Sequence, residues 1–441
     1  MKKQLLKIGC FLSVLFLFTS CVKDDVAYLV VKLKDTESFY SRYEVSHLGS
    51  WCLCEDKQLS EYISNDGGSR SNIEKIIFPS NYVKSKLLKG ESFGGLTPKN
   101  VSIPSSVTEI GDGAFSGCSS LTSIEIPSSV TKIGDEAFRG CRSLTSIEIS
   151  SGVTEIGSKA FYNCSHLTSI EIPSSVTKIG DRAFSGCSRL TSIEIGSGVT
   201  EIGSYAFDDC SSLTSIEIPS RVTKIGDGAF GHCSSLTSMF VWIGNSKYDS
   251  RDNCNAIIES SSNTLISGCK STTIPSSVTE IGDGAFRYCT SLTSIEIPSS
   301  VTKIGDEAFQ LCTSLTSIEI PSSVTKIGSY AFSGCWSLTS IDILPSVTEI
   351  GDGAFSGCSS LEAIYIPSRV TEIGNWAFKD CSNLQLIYME PTIPPTLLLF
   401  NPIEVLSNCP ANILVPFDSG NAYKNARGWR KYASRIFEYS F

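Results

Sequence analysis

The sequence predicts a repeat solenoid, in which short strands and single helical turns coil around a core and a continuous parallel β-sheet runs along it. Three observations predict this. Cys118, Cys141, Cys164, Cys187, Cys210 and Cys233 follow one another at a step of 23, and Cys289, Cys312, Cys335, Cys358 and Cys381 resume the series. Each of these cysteines closes the same short run, Ala-Phe-x-x-Cys. Finally, the apolar residues of one unit (Ile126, Val130, Ile133, Ala137, Phe138, Cys141, Leu144 and Ile147) fit neither a helical nor a strand period throughout, so the unit is read in pieces.

The pieces follow in order. Leu144 to Ile149 alternates apolar and polar residues, as a strand with one buried face does. Pro127, Ser128 and Ser129 form a turn, and Val130 to Ile133 is a second short extended piece. Gly134 permits a sharp turn. The residue after it is always a helix N-cap type: Asp112, Asp135, Ser158, Asp181, Ser204, Asp227, Asp283, Asp306, Ser329, Asp352 or Asn375. A helical turn carrying Ala-Phe is expected next. One such coil buries too little apolar surface to offset the entropy of ordering its backbone, so stability requires stacked neighbours.

The whole unit, Cys-x-x-Leu-x-x-Ile-x-Ile-Pro-x-x-Val-x-x-Ile-Gly-x-x-Ala-Phe, resembles the BspA-like leucine-rich repeats of bacterial surface proteins over residues 73–436. The resemblance implies a right-handed leucine-rich-repeat-like coil whose Leu-x-x-Ile-x-Ile strands share one parallel sheet. It also implies an adhesin-like, non-catalytic surface protein that binds a host extracellular or cell-surface protein. A surface glycan-binding protein for nutrient capture is the alternative, and exposed Tyr365, Tyr388, Trp336 and Trp376 would then carry the contacts.

The expected organisation is a lipoprotein signal peptide at 1–20, an anchor segment and N-terminal cap at 21–70, and degenerate repeats at 71–104. Regular repeats occupy 105–238, an irregular repeat with a hairpin insertion 239–274, regular repeats again 275–390, and a C-terminal cap 391–441. Lys2 and Lys3 precede an apolar stretch from Ile8 to Phe18, too short to span a bilayer, which needs about 20 residues. Leu17 to Cys21 resembles a bacterial lipobox, with Cys21 as the lipidated residue; the alternative is an ordinary secretory signal. Lys23-Asp24-Asp25 resembles the acidic tag of Bacteroidetes lipoproteins on the outer face of the outer membrane. Membrane attachment is therefore expected through a lipid anchor only.

Within the insertion, Ala256 to Glu259 and Thr264 to Ser267 flank a Ser/Asn turn and read as a hairpin standing off the coil. Asp249, Asp252, Asn253 and Asn255 are oxygen-rich, yet their spacing fits no standard calcium loop, and turn chemistry is the simpler reading. In the C-terminal cap, Ala422, Ala426, Trp429, Ala433 and Ile436 space as one amphipathic helix.

The net charge of −9 and the lack of a Lys/Arg cluster argue against nucleic acid as a partner. Eighteen cysteines invite a disulfide count, but the column at the 23-residue step falls on core positions and reads as buried thiols. Cys52 and Cys54 lie outside the column. No cofactor or metal site is expected. Gly226-x-Gly228-x-x-Gly231 matches a dinucleotide fingerprint, but the same turn recurs at Gly111, Gly282 and Gly351 with no long helix after it. His47, His166 and His232 find no catalytic companions, and no nucleophile and base converge.

Two charge columns arise from residues 23 apart. Glu109, Lys132, Glu155, Lys178, Glu201 and Lys224 alternate in sign, which reads as a structural ribbon. Glu125, Glu148, Glu171, Glu194 and Glu217, then Glu296, Glu319 and Asp342, place like charges side by side on the outer face of the main strands. Either duplication copied a tolerated Glu, or the stripe meets a basic or cation-bridged ligand. Phe240, Tyr365 and Tyr388 occupy equivalent positions and are the candidate aromatic contacts.

Overall fold

A computed structural model describes residues 107–397 and 405–440, with Ser105 and short segments at 30–33, 39–40, 73–77 and 100–103 ahead of them. The segment expected to be a signal peptide, Cys21, His47, Cys52 and Cys54 lie outside the described residues. Among those described, no helix is long and apolar enough to cross a membrane.

The chain coils as predicted, and each coil contributes backbone partners to the next on three faces. On the first face, two-residue strands pair in parallel and in register from Glu109–Ile110 to Lys224–Ile225. A second such ladder runs from Glu280–Ile281 to Thr396–Leu397. On the second face the Leu-x-x-Ile-x-Ile strands also stack in parallel, but in shorter groups than one unbroken sheet. Ser169–Ile172 pairs with Ser192–Ile195, and Ser317–Ile320 with Ser340–Ile343. Between groups, threonine holds the stack: Thr168 and Thr214 each donate an amide to a Thr carbonyl one coil back, at 3.2 and 3.4 Å.

The third face corrects the expectation of a helical turn. The residue after each cap has positive φ, Glu136 at 56° and Arg182 at 55° for example, which no α-helix continues through. Alternate amides then serve two purposes. Ala114 and Ser116 close local turns onto Gly111 and Gly113, whereas Gly113, Phe115 and Gly117 donate to Asp135, Ala137 and Arg139 of the next coil at 2.7 Å. The cap residues also work between coils, not within one: Asp135 Oδ1 accepts the Ser158 amide at 2.7 Å and Asp306 Oδ1 that of Ser329 at 2.7 Å. The glycine before them is required by close approach. A Cβ on Gly134 would sit 2.7 Å from the backbone of Gly111.

Inside, the phenylalanines form a stack with centroids 5.1–5.7 Å apart and planes within 10° of parallel. Beside them the column cysteines are free thiols, buried except for half-buried Cys289. Their sulfurs donate to phenylalanine carbonyls one coil back, as Cys164 does to Phe138 at 3.1 Å and Cys335 to Phe309 at 3.2 Å. Burial pushes Cys187 and Cys335 up to about 12, so these thiols stay protonated and unreactive.

The hairpin forms where expected, Ala256–Glu259 against Thr264–Gly268, but it does not stand off the solenoid. Thr264 and Leu265 pair in parallel with Glu280 and Ile281, so the hairpin heads the second ladder. Its consecutive residues face opposite sides: Ile257 joins the core of the first array and Ile258 that of the second. The C-terminal cap also differs from the single helix expected. A helix at Gly420–Asn425 ends at extended Ala426, a 3-10 helix follows at Trp429–Arg435, and Ile436–Tyr439 is a strand parallel to Asn412–Pro416. Gly428, at φ 85°, separates the two helices. Tyr423, Trp429, Tyr432 and Ile436 are the buried face, while Ala422 is exposed.

Candidate functional site

On each main strand the acidic residue lies between two inward isoleucines, so period-2 alternation turns it outward. Glu125, Glu148, Glu171, Glu194, Glu217, Glu296, Glu319 and Asp342 are all exposed. Register places Glu125 opposite Glu148, Glu171 opposite Glu194, and Glu319 opposite Asp342. Parallel strands are about 4.8 Å apart, so carboxylates repeat along the face at that interval. Glu217 differs, because its Oε2 accepts the indole N–H of Trp242 at 2.9 Å.

The stripe ends in aromatics at both places the sequence suggests. Phe240 is paired with Glu217 in register and is exposed. At the C-terminal end Tyr365 pairs with Tyr388, and the same column continues to Leu414 and then Phe437. Phe437 is 49% exposed. Tyr439 meets the Tyr388 ring edge-on at 6.0 Å. Burial and a hydrogen bond to Glu390 both push the Tyr365 phenol above its ordinary range, so it stays protonated and neutral. Leu414 and Phe437 are missed by sequence reasoning. Both lie beyond the last 23-residue unit, where no period gives the register, and the helical spacing through Ile436 hides the strand that carries Phe437.

The other aromatics considered for a glycan lie elsewhere. Trp336 follows Cys335, and Trp376 occupies the positive-φ position of the third face, at φ 56°. They are 55% and 36% exposed and do not join Tyr365 and Tyr388.

The alternating ribbon is in the register expected, Lys132 between Glu109 and Glu155, and Lys178 between Glu155 and Glu201. Lys132 reaches Glu155 at 3.6 Å. In the second array the order changes: Lys303 lies opposite Lys326 and Glu349 opposite Glu372, with ion pairs Lys303–Glu280 at 2.6 Å and Lys326–Glu349 at 3.0 Å.

In the insertion, Asp249 is occupied by protein. Its carboxylate takes Arg251 Nη2 at 2.6 Å and Ser260 Oγ at 2.5 Å. Burial would raise this carboxyl, but those hydrogen bonds outweigh it and hold it below the usual aspartate range. Asp252, Asn253 and Asn255 take positive φ at 58°, 51° and 52°, consistent with turn chemistry. Among the described residues no group of three or more His, Cys, Asp or Glu is arranged to hold a metal ion. His166 lies 3.4 Å from Ser165 Oγ and His232 2.9 Å from Asp208, separate from the stripe.

A parallel solenoid with an exposed, repeat-encoded sheet face defines a leucine-rich-repeat protein. The BspA type leucine rich repeat region matches the chain at residues 61–177, 154–254 and 256–385, and the chain belongs to that family. Two solved structures resemble it over most of their length. One is a leucine-rich repeat protein from Bacteroides ovatus, 27% identical, covering 83% of this chain and 95% of that one with a TM-score of 0.55. The other is a leucine rich cell surface protein from Faecalibacterium prausnitzii, 28% identical, covering 81% and 93% with a TM-score of 0.52. The pneumococcal vaccine antigen PcpA shares the fold at 18% identity and a TM-score of 0.51. No curated protein matches the chain.

Proposed function

We propose that this chain is a non-catalytic, adhesin-like binding protein of the cell surface that engages a protein partner through the outer face of its main strands. The observation that carries this reading is the outward column itself. Acidic residues that face like charges across the ladder lower stability, yet they run along both arrays and give way to exposed aromatic side chains at each end. Such a face offers anchoring rings beside a charged track, the combination that protein interfaces use for affinity and steering. A partner with basic side chains fits it. The cell-surface description of the Faecalibacterium relative and the lipobox-like run ending at Cys21 support export, with an outer-membrane lipid anchor facing outward.

A glycan ligand is the second reading, favoured by the Tyr365–Tyr388 pair on adjacent strands. The mature chain screened against host matrix proteins and glycan arrays separates the two. Glu148, Glu171 and Glu194 changed together to Ser should weaken protein binding by more than tenfold and lessen its salt dependence. Binding left unchanged, with stability gained, would reduce the stripe to a relic of duplication. Loss confined to Tyr365→Ala and Tyr388→Ala, read on glycans, favours the second reading. Protease shaving of intact cells that leaves the protein uncut would sink the surface assignment.

A further inference from the structure

The third-face ladder is complete in both arrays and broken between them. In every regular coil of the first array before the last, three amides reach the next coil, as Tyr205, Phe207 and Asp209 reach Asp227, Ala229 and Gly231 at 2.9, 2.8 and 2.9 Å. The next row, Gly228, Phe230 and His232, finds no carbonyl among the described residues. The cause is local sequence. In the inserted coil Ser267-Gly268 stands where Ala-Phe is expected, and the Gly268 amide takes the phenylalanine's place by donating to Ala285 at 2.8 Å. With one phenyl ring missing, the stack stops at Phe230 and restarts at Phe286. A cavity of about 180 Å³ remains, lined by Phe230, Leu236 and Ile266 and by three thiols, Cys233, Cys269 and Cys289.

These thiols are not equivalent. Cys233 points back into its own array, donating to the Phe207 carbonyl at 3.2 Å. Cys289 has lost the preceding phenylalanine carbonyl that its column neighbours use, and it alone among the described column cysteines is half-buried. The Cys269 sulfur donates to Asn255 O at 3.4 Å and accepts from Thr272 Oγ1 at 3.8 Å, with no phenylalanine carbonyl as its partner. Cys269 also belongs to the hydrophobic core of the first array, whereas Cys289 packs against that of the second.

We propose that Cys269 and Cys289 are a disulfide site, and that their bond staples the two hydrophobic cores across this cavity when the chain folds in an oxidising compartment. Each thiol gives up one proton and one electron as the S–S bond forms, and a low-molecular-weight disulfide such as oxidised glutathione is reduced to two thiols. Both residues line this cavity, which supplies room for their sulfurs to come together. Burial, followed by the nearness of Cys269, raises Cys289 to about 12, so exchange in the folded protein is slow and the bond forms while the hairpin is docking.

The test is oxidative refolding of the mature chain in a glutathione redox buffer, followed by alkylation of free thiols and peptide mapping. The expected result is a Cys269–Cys289 linked peptide, with a mass lower by two hydrogens, that disappears on reduction and is absent from Cys289→Ser. The wild-type chain should also melt several degrees higher oxidised than reduced, a difference that Cys269→Ser removes while Cys312→Ser, in the filled column, retains it. Free Cys269 and Cys289 after oxidative refolding, or a Cys233–Cys289 link in their place, would overturn the proposal.

Discussion

The arrays at 105–238 and 275–390 are built from the same coil, and their interiors are interchangeable. Phe138 and Phe184 stack in the first array as Phe309 and Phe355 do in the second, and Cys164 and Cys335 donate to equivalent carbonyls, those of Phe138 and Phe309. Their surfaces are not interchangeable. The first array alternates Glu and Lys along its two-residue strands, whereas the second places Lys303 against Lys326 and Glu349 against Glu372. One acidic stripe ends in a single phenylalanine beside a tryptophan; the other ends in a four-residue apolar ladder from Tyr365 to Phe437. The difference teaches that core and interstrand contacts constrain a position wherever it recurs, while an outward position is free to diverge, and function is to be sought where it has.

The most disruptive way to probe that equivalence is to open the core. Phe207→Ala removes a ring held between Phe184 and Phe230 and should cost about 3–5 kcal/mol. Because the hairpin divides the molecule into two cores, hydrogen exchange should report that loss over residues 107–241 and far less beyond Val301. Phe332→Ala should give the mirror result. Equal loss in both arrays would show that the seam transmits folding as one unit.

A smaller effect tests the caps. Asp135→Ala and Asp306→Ala each strand one amide of the next coil, Ser158 or Ser329, and should each lower stability in chemical denaturation by about 1 kcal/mol. A local helix cap would instead expose the cost within the same coil, as faster exchange at the amides just after the substituted residue.

The smallest effect concerns the charge ladders. Exchanging Lys326 for Glu and Glu349 for Lys keeps their mutual pair and replaces two like-charge contacts, with Lys303 and Glu372, by opposite ones. The double variant should gain a few tenths to about 1 kcal/mol, and the gain should fade in high salt. No gain at low salt would show that the ribbon contributes nothing measurable in either array.

Much of this was legible because the repeat states each rule many times over. A column of identical residues at a step of 23 gives the register outright, so the pairs Lys132–Glu155 and Glu319–Asp342 follow from counting. The invariant threonines were not explained by patterning. Thr131 and Thr154 each donate a hydroxyl to the Thr carbonyl one coil back, at 3.1 Å, a contact that exists only once coils are stacked. The supposed helical turn failed for a similar reason: Ala-Phe after Asp is a plausible helix start in isolation, and interstrand demand for every second amide overrides it.

By itself, then, the sequence determined the coil, its register, the buried thiol column and the outward direction of the acidic stripe, because each follows from periodicity and from which side chains leave water. Only the tertiary structure decided which backbone groups pair between coils, why Gly134 must lack a Cβ, and how Leu414 and Phe437 extend the aromatic ladder. It also decided that the hairpin is a wedge between two cores, with Cys269 on one side and Cys289 on the other. Those outcomes depend on contacts between segments that differ in sequence, where no period relates one residue to its neighbour in space.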